Sequence, residues 1–151
     1  LDAQGHAAAL SLRGQTAIAR ARLAYQVYKD LAASQRWQRL QDQGGRTQRL
    51  LWASTSSKDP GYDDLKYVTP LIGPDTVNTL PPETLAAFRD HGLVGVHVED
   101  DKNLARALPS LLDALGIDLK RITGQLEEDG IKKFVAPYDK LLDTLRMKLG
   151  G

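Results

Sequence analysis

The sequence predicts a helix-rich α/β protein in which short parallel strands alternate with helices. Two short apolar runs bounded by turn-forming residues, at residues 49–54 and 76–80, have the length of buried strands. Helical patterns precede, separate and follow them. This order favours parallel βα units whose helices cover a sheet or the outside of a barrel. Because two strands do not form a stable parallel sheet alone, either further strands are hidden here or residues outside this chain complete the sheet.

A long helical pattern precedes the first strand and spans residues 15–41. Its apolar face recurs at spacings of four, three and four residues, in Ala21, Tyr25, Tyr28 and Ala32. The basic residues of this segment mostly fall elsewhere and do not converge on one side. The pattern therefore predicts an amphipathic packing helix rather than an anion site.

Turn-forming residues fill positions 55–61, and a weakly helical pattern covers residues 63–71. After the second strand, Pro82 opens a helix that ends at Gly92, since proline suits the first helical turn and glycine follows the last. His91 lies at that helix end, where a cation is favoured.

Three further helices are predicted in the C-terminal third, which shows no clear strand. They cover residues 101–115, residues 117–128 and a last segment that begins at Pro137. Gly116 and Gly130 separate them, because glycine commonly ends helices.

Composition excludes several classes of function. The 151 residues are 42% hydrophobic and 26% charged, which argues against disorder and fits one ordinary domain. A net charge of +1 gives no footprint for nucleic acid or an anionic membrane. The absence of cysteine excludes disulfides and thiolate catalysis and fits a reducing compartment. No apolar run is long enough to cross a membrane, and the chain begins at Leu1 rather than Met, so we expect a cut or processed start.

No catalytic or metal-binding pattern is evident. The three histidines, His6, His91 and His97, are not spaced as metal ligands and lack a matching carboxylate. There is no Gly-x-Ser-x-Gly elbow and no glycine-rich nucleotide loop. No lysine falls inside an apolar strand, where burial would lower its pKa enough for Schiff-base chemistry.

One segment points to ligand chemistry. Residues 52–60 run from a strand into a loop of hydroxyls followed by Lys58. The carboxyl end of a parallel strand faces the usual ligand crevice, and hydroxyls, main-chain N–H groups and an ammonium suit a phosphate group. The alternative is a polar turn with an exposed lysine, and the pattern alone leaves both open.

Four segments, in order along nearly the whole chain, resemble transaldolases of the longer bacterial type. ARARLAYQ at residues 19–26 resembles the helix before the penultimate barrel strand, and RLLWASTSSKDP at residues 49–60 resembles that strand and its loop. YVTPLIGPDTVNTLP at residues 67–81 is similar to the last strand region, and QLEEDGIKKF at residues 125–134 to the C-terminal tail. The two middle segments are long and specific, which argues against a chance likeness.

The resemblance implies the C-terminal portion of a (β/α)₈ TIM barrel that uses no metal or organic cofactor. It implies transfer of a dihydroxyacetone unit from a ketose phosphate to an aldose phosphate through a lysine Schiff base, in the cytoplasmic pentose phosphate pathway. The family's catalytic lysine, carboxylates and serine-arginine phosphate motif lie upstream of this sequence. We therefore expect a fragment, with the last βα units in about residues 1–92 and C-terminal helices in residues 93–151, inactive alone and without a catalytic residue.

The resemblance also implies a binding role for a few residues. Lys58 matches the family's cation for the substrate phosphate, and Ser54 lies beside it at the strand end. Asn78 and Thr79 end the last strand on the same rim. The implied partners are sugar phosphates and the N-terminal part of the barrel. The resemblance does not decide whether the protein forms a homo-oligomer. Two other interpretations are a non-enzymatic module that binds a phosphate or a protein, and a small enzyme with Lys58 as nucleophile.

Overall fold

The structure, a computed structural model, describes residues 7–149, without the side chain of Ala8. The chain forms two compact units, and the boundary between them falls between Leu108 and Pro109, inside a helix. The elements in chain order are α1 (Ala7–Ser11), α2 (Thr16–Ala32), α3 (Gln35–Asp42), β1 (Leu50–Trp52), a 3₁₀ helix (Thr69–Leu71), β2 (Thr76–Asn78), α4 (Pro82–His91), α5 (Lys102–Ala114) and α6 (Leu119–Leu149).

The long first helix predicted for residues 15–41 is in fact two helices. α2 ends at Ala32, and α3 begins after Ser34, whose hydroxyl accepts a hydrogen bond from the main-chain N–H of Trp37 at 3.3 Å. Ser34 has an extended backbone, as an N-cap residue requires. The break between α2 and α3 therefore comes from the capping Ser34. The apolar pattern continues across it and does not reveal the break.

The two predicted strands are confirmed, whereas the helix expected between them is not. β1 and β2 pair in parallel, with Leu50 opposite Thr76, Leu51 opposite Val77 and Trp52 opposite Asn78. The segment between them contains turns and the 3₁₀ helix instead of the weak helix expected over residues 63–71. The indole N–H of Trp52 donates to the Leu71 carbonyl at 3.0 Å, which ties β1 to that segment.

The α4 prediction is confirmed, since the helix begins at Pro82 and is followed by Gly92. The predicted separation of the last two helices is wrong. α6 runs without interruption through Gly130 and Pro137. Glycine costs only about 1 kcal/mol relative to alanine inside a helix. Proline costs about 3 kcal/mol, because it removes one hydrogen bond and its ring clashes with the preceding turn, and α6 accommodates it within 31 residues.

The core of the first unit lies between α2 and the residues that follow β1. Its buried apolar members include Ile18, Ala19, Tyr25, Leu65, Val68, Leu71 and Val98. The Tyr25 hydroxyl donates to the Pro74 carbonyl at 3.2 Å, and burial, first among several causes, raises the pKa of that hydroxyl. α2 is thereby fixed against the segment that leads into β2.

Ion pairs also hold α2. The Lys29 ammonium lies 2.6 Å from a Glu99 carboxylate oxygen, which Lys102 also approaches at 2.9 Å. The hydrogen bond from Lys29, followed by that from Lys102, lowers the pKa of Glu99 to about 2. Arg22 donates to the His97 carbonyl at 3.1 Å. These contacts anchor the segment between α4 and α5 to α2.

The second unit consists of the end of α5 and the whole of α6. Gly116 takes a left-handed conformation with φ of 71° in the turn between them, and the Asp118 carboxylate accepts a hydrogen bond from the Arg121 N–H at 3.0 Å. Many apolar side chains of α6 are exposed, Phe134 to 83%. None of the helices in residues 7–149 has the length and apolar character that a membrane span needs.

Candidate phosphate-binding site

Parallel pairing brings the carboxyl ends of β1 and β2 side by side. The main-chain N–H of Thr79 donates to the Trp52 carbonyl at 3.0 Å, and the Thr79 hydroxyl donates to the same oxygen at 3.2 Å. The loop after β1 and the residues after β2 therefore share one edge of the sheet, where ligands of α/β proteins bind.

A pocket opens at this edge. Its volume is about 360 Å³, near the small end of the roughly 300–1,000 Å³ typical of ligand sites. Three hydroxyls and one ammonium face a short apolar wall; the lining residues are Ser54, Ser56, Lys58, Thr79, Leu80 and Pro81. The pocket is thus cationic and rich in hydrogen-bond donors.

The backbone of the loop after β1 adds further donors. Ser54 has φ of 57°, a left-handed conformation that costs a non-glycine residue about 1–2 kcal/mol. After this bend, the main-chain N–H groups of residues 55–58 donate no hydrogen bond within the part of the chain that the structure describes. Successive N–H groups in a turn form a concavity that binds anions.

Lys58 supplies the positive charge of the pocket. It is exposed, and no carboxylate among residues 7–149 forms an ion pair with its ammonium. The neighbouring Asp59 carboxylate is occupied elsewhere, by the Gly61 N–H at 2.8 Å and the Arg13 guanidinium at 3.5 Å. The Lys58 ammonium therefore remains available to an anionic ligand.

The predicted site residues do not all lie together. The pocket contains Ser54, Lys58 and Thr79, whereas Asn78 is half-buried and does not line it. The Asn78 amide oxygen instead accepts a hydrogen bond from the hydroxyl of the buried Thr55 at 2.8 Å. The run of hydroxyls pointed to the loop as a whole, but nothing local distinguishes Thr55 as the side chain that turns inward.

The two histidines that the structure describes take no part in this pocket. His91 lies 3.0 Å from Asp64 and 3.2 Å from Asp90, and these hydrogen bonds, that to Asp64 first, raise its pKa. His97 approaches Asp100 at 3.2 Å, and His6 lies outside the described residues. Residues 7–149 contain no group of three or more His, Cys, Asp or Glu side chains arranged to hold a metal ion.

Known proteins match the chain along most of its length. The family model for transaldolase/fructose-6-phosphate aldolase matches residues 1–145. A transaldolase of Parafrankia sp. (strain EAN1pec) is 48% identical over 142 residues, which are 93% of this chain and 38% of that protein. Transaldolase 2 of Nostoc punctiforme is 47% identical over 92% of this chain and 37% of its own length. A Mycobacterium bovis transaldolase is 45% identical over 99% of this chain and 40% of its own length. The chain thus spans about two fifths of the length of these relatives.

Proposed function

The chain belongs to the transaldolase/fructose-6-phosphate aldolase family, and we propose that it supplies the last part of a (β/α)₈ transaldolase barrel. About residues 1–92 provide the final βα units, and residues 93–151 provide C-terminal helices. The paired strands β1 and β2 support this assignment, because a two-stranded parallel sheet needs neighbours on both sides. Leu51, in the middle of β1, is 57% exposed and gains apolar neighbours when a barrel closes.

The proposed reaction transfers a dihydroxyacetone unit from a ketose phosphate to an aldose phosphate. In such a reaction a neutral lysine amine attacks the donor carbonyl, and loss of water gives the Schiff base. Neither β1 nor β2 contains a lysine. We therefore assign the Schiff base to a residue outside this chain and expect the 151 residues alone to be inactive.

The part that we assign to this chain is recognition of the substrate phosphate. The observation that carries the assignment is the pocket at the strand ends, which Lys58, Ser54 and Ser56 line together. The N–H groups of Ser56 and Lys58, which donate no hydrogen bond within the described residues, add to a donor set suited to phosphate oxygens. Thr79 lines the rim of the pocket. Asn78 holds the loop by accepting a hydrogen bond from Thr55.

The test is Lys58→Gln in a complete transaldolase that carries this sequence. Loss of one charge-assisted contact costs about 1.5–3 kcal/mol, so the KM for the ketose phosphate is expected to rise roughly 10- to 100-fold. The KM for an unphosphorylated ketose should not change, because such a donor has no group for Lys58 to bind.

Lys66→Gln is the matched control. It also removes one positive charge from the segment between β1 and β2. The Lys66 ammonium, however, lies over the Tyr62 ring, 4.3 Å from its centroid and outside the pocket. We expect this variant to keep the KM of the parent enzyme. An equal rise in both variants, or no rise in Lys58→Gln, would show that the pocket does not hold the phosphate.

A further inference from the structure

Thr55 differs from the other hydroxyl residues of its loop. It follows Ser54 directly, yet it is only 4% exposed and does not line the pocket. Its hydroxyl donates to the amide oxygen of Asn78 at 2.8 Å. Because Thr55 follows β1 and Asn78 ends β2, this hydrogen bond joins the carboxyl ends of the two strands.

Ser54 lies between two such ties. Upstream, the Trp52 carbonyl accepts hydrogen bonds from both the N–H and the hydroxyl of Thr79. Downstream, Thr55 is held by Asn78. A left-handed conformation at a non-glycine residue costs free energy and persists where the surrounding structure holds it. The bend at Ser54, with φ of 57°, meets that condition.

We infer that Thr55 is a positioning residue of the phosphate site. Its hydrogen bond to Asn78 fixes the bend at Ser54, and the bend directs the hydroxyls of Ser54 and Ser56 toward the same group as the Lys58 ammonium. The inference rests on the proposed phosphate role of this pocket. It assigns to Thr55 no contact with substrate, and it makes selectivity for phosphorylated over unphosphorylated sugars depend on a side chain outside the pocket.

Thr55→Val tests this in the complete enzyme, because valine keeps the shape of threonine and replaces its hydroxyl with a methyl group. A net hydrogen bond of this kind corresponds to roughly a two- to tenfold effect. We expect the KM for the ketose phosphate to rise by that factor, with kcat and the KM for an unphosphorylated ketose unchanged. Thr55→Ser restores the hydroxyl and should restore the KM.

Thr76→Val is the matched control. The Thr76 hydroxyl donates to the Gly73 carbonyl at 2.7 Å, so the same substitution removes a comparable hydrogen bond at the opposite end of β2. This variant should leave the KM for the ketose phosphate unchanged. If it raises KM as Thr55→Val does, the effect is general to the strand and the inference is wrong.

Asn78→Leu removes the acceptor of the same hydrogen bond. This variant tests the positioning role if Thr55→Val does not fold. It is expected to raise the KM by a similar factor, and a double variant should add little. If Thr55→Val and Asn78→Leu both keep the parent KM while Lys58→Gln raises it, the positioning role of Thr55 is wrong and the phosphate role of the pocket is supported. If Lys58→Gln also leaves KM unchanged, the phosphate role falls as well.

Discussion

Gly73 lies directly against the side chain of Val98, and this contact predicts a large effect of a small substitution. A Cβ at Gly73 would overlap the Cγ1 of Val98 and would lie 3.1 Å from its Cβ. Val98 is only 1% exposed, so its side chain cannot swing out into solvent. Gly73→Ala therefore forces either Val98 or the backbone before β2 to move.

The size of the effect follows from two opposing terms. Overpacking a buried site costs about 1–3 kcal/mol, and the overlap with a fully buried valine favours the upper end of that range. Gly73 does not have a left-handed φ, so alanine adds no backbone strain. Alanine also restricts the unfolded chain, which stabilises the folded state by about 0.4–1 kcal/mol. We expect a net loss of about 2 kcal/mol in the free energy of unfolding.

A double-mutant cycle with Val98→Ala separates this explanation from others. Val98→Ala alone should cost about 2 kcal/mol through lost burial and a small cavity. In the double variant the alanine methyl at residue 73 occupies the space that Val98 vacates. We therefore expect a combined loss of about 2 kcal/mol instead of about 4 kcal/mol, within the coupling range of residues in contact.

The assay is urea unfolding followed by tryptophan fluorescence. Both tryptophans, Trp37 and Trp52, belong to the first unit, so the signal reports on the unit that contains Gly73. Gly130→Ala is a control, because a Cβ there meets no atom within 4 Å, and by circular dichroism it should stabilise α6 by about 1 kcal/mol. Strict additivity of Gly73→Ala and Val98→Ala, or a neutral Gly73→Ala, would refute the overlap argument.

Two further predictions concern hydrogen bonds at helix ends. The pKa of His91 is raised above its ordinary 6.5, first by Asp64, so its contribution to stability is complete below that ordinary pKa and disappears as pH rises through the raised value. Urea midpoints measured from pH 6 to about 8.5 should fall for this reason, and Asp64→Asn should flatten the slope; an unchanged slope would contradict the assignment. Ser34→Ala should destabilise the chain by about 1 kcal/mol in the same assay, whereas Ser34→Asp, which keeps an acceptor for the Trp37 N–H, should not.

The sequence predicted those elements whose signals are local. The apolar runs at residues 49–54 and 76–80 contain the observed strands, because short apolar runs between turn formers suit buried strands. Pro82 and Gly92 bound α4 for equally local reasons. The break at Ser34 was missed because one capping side chain decides it while the apolar periodicity continues. The opposite error at Gly130 arose because glycine ends a helix only where the following residues favour leaving it.

The sequence predicted which loop carries the candidate site, but not how the side chains of that loop are arranged. A run of hydroxyls ending in Lys58 identifies a donor-rich segment after a strand. Which hydroxyl turns inward depends on Asn78, 23 residues away, and no pattern within the loop reports that pairing. The same holds for Gly73, since its close approach to Val98 becomes visible only in three dimensions.

The parallel pairing of β1 with β2 has a consequence for the order of folding. The hydrogen bonds that join their carboxyl ends link residues 23 and 27 positions apart, so they form only after the intervening segment has condensed. Non-local pairing of this kind is slow, because loop-closure entropy is lost before the contacts form. A phosphate needs the completed rim to bind, so it stabilises the folded chain more than any partly folded form. It should therefore lengthen the lifetime of the folded chain by slowing unfolding, with little change in the rate of folding.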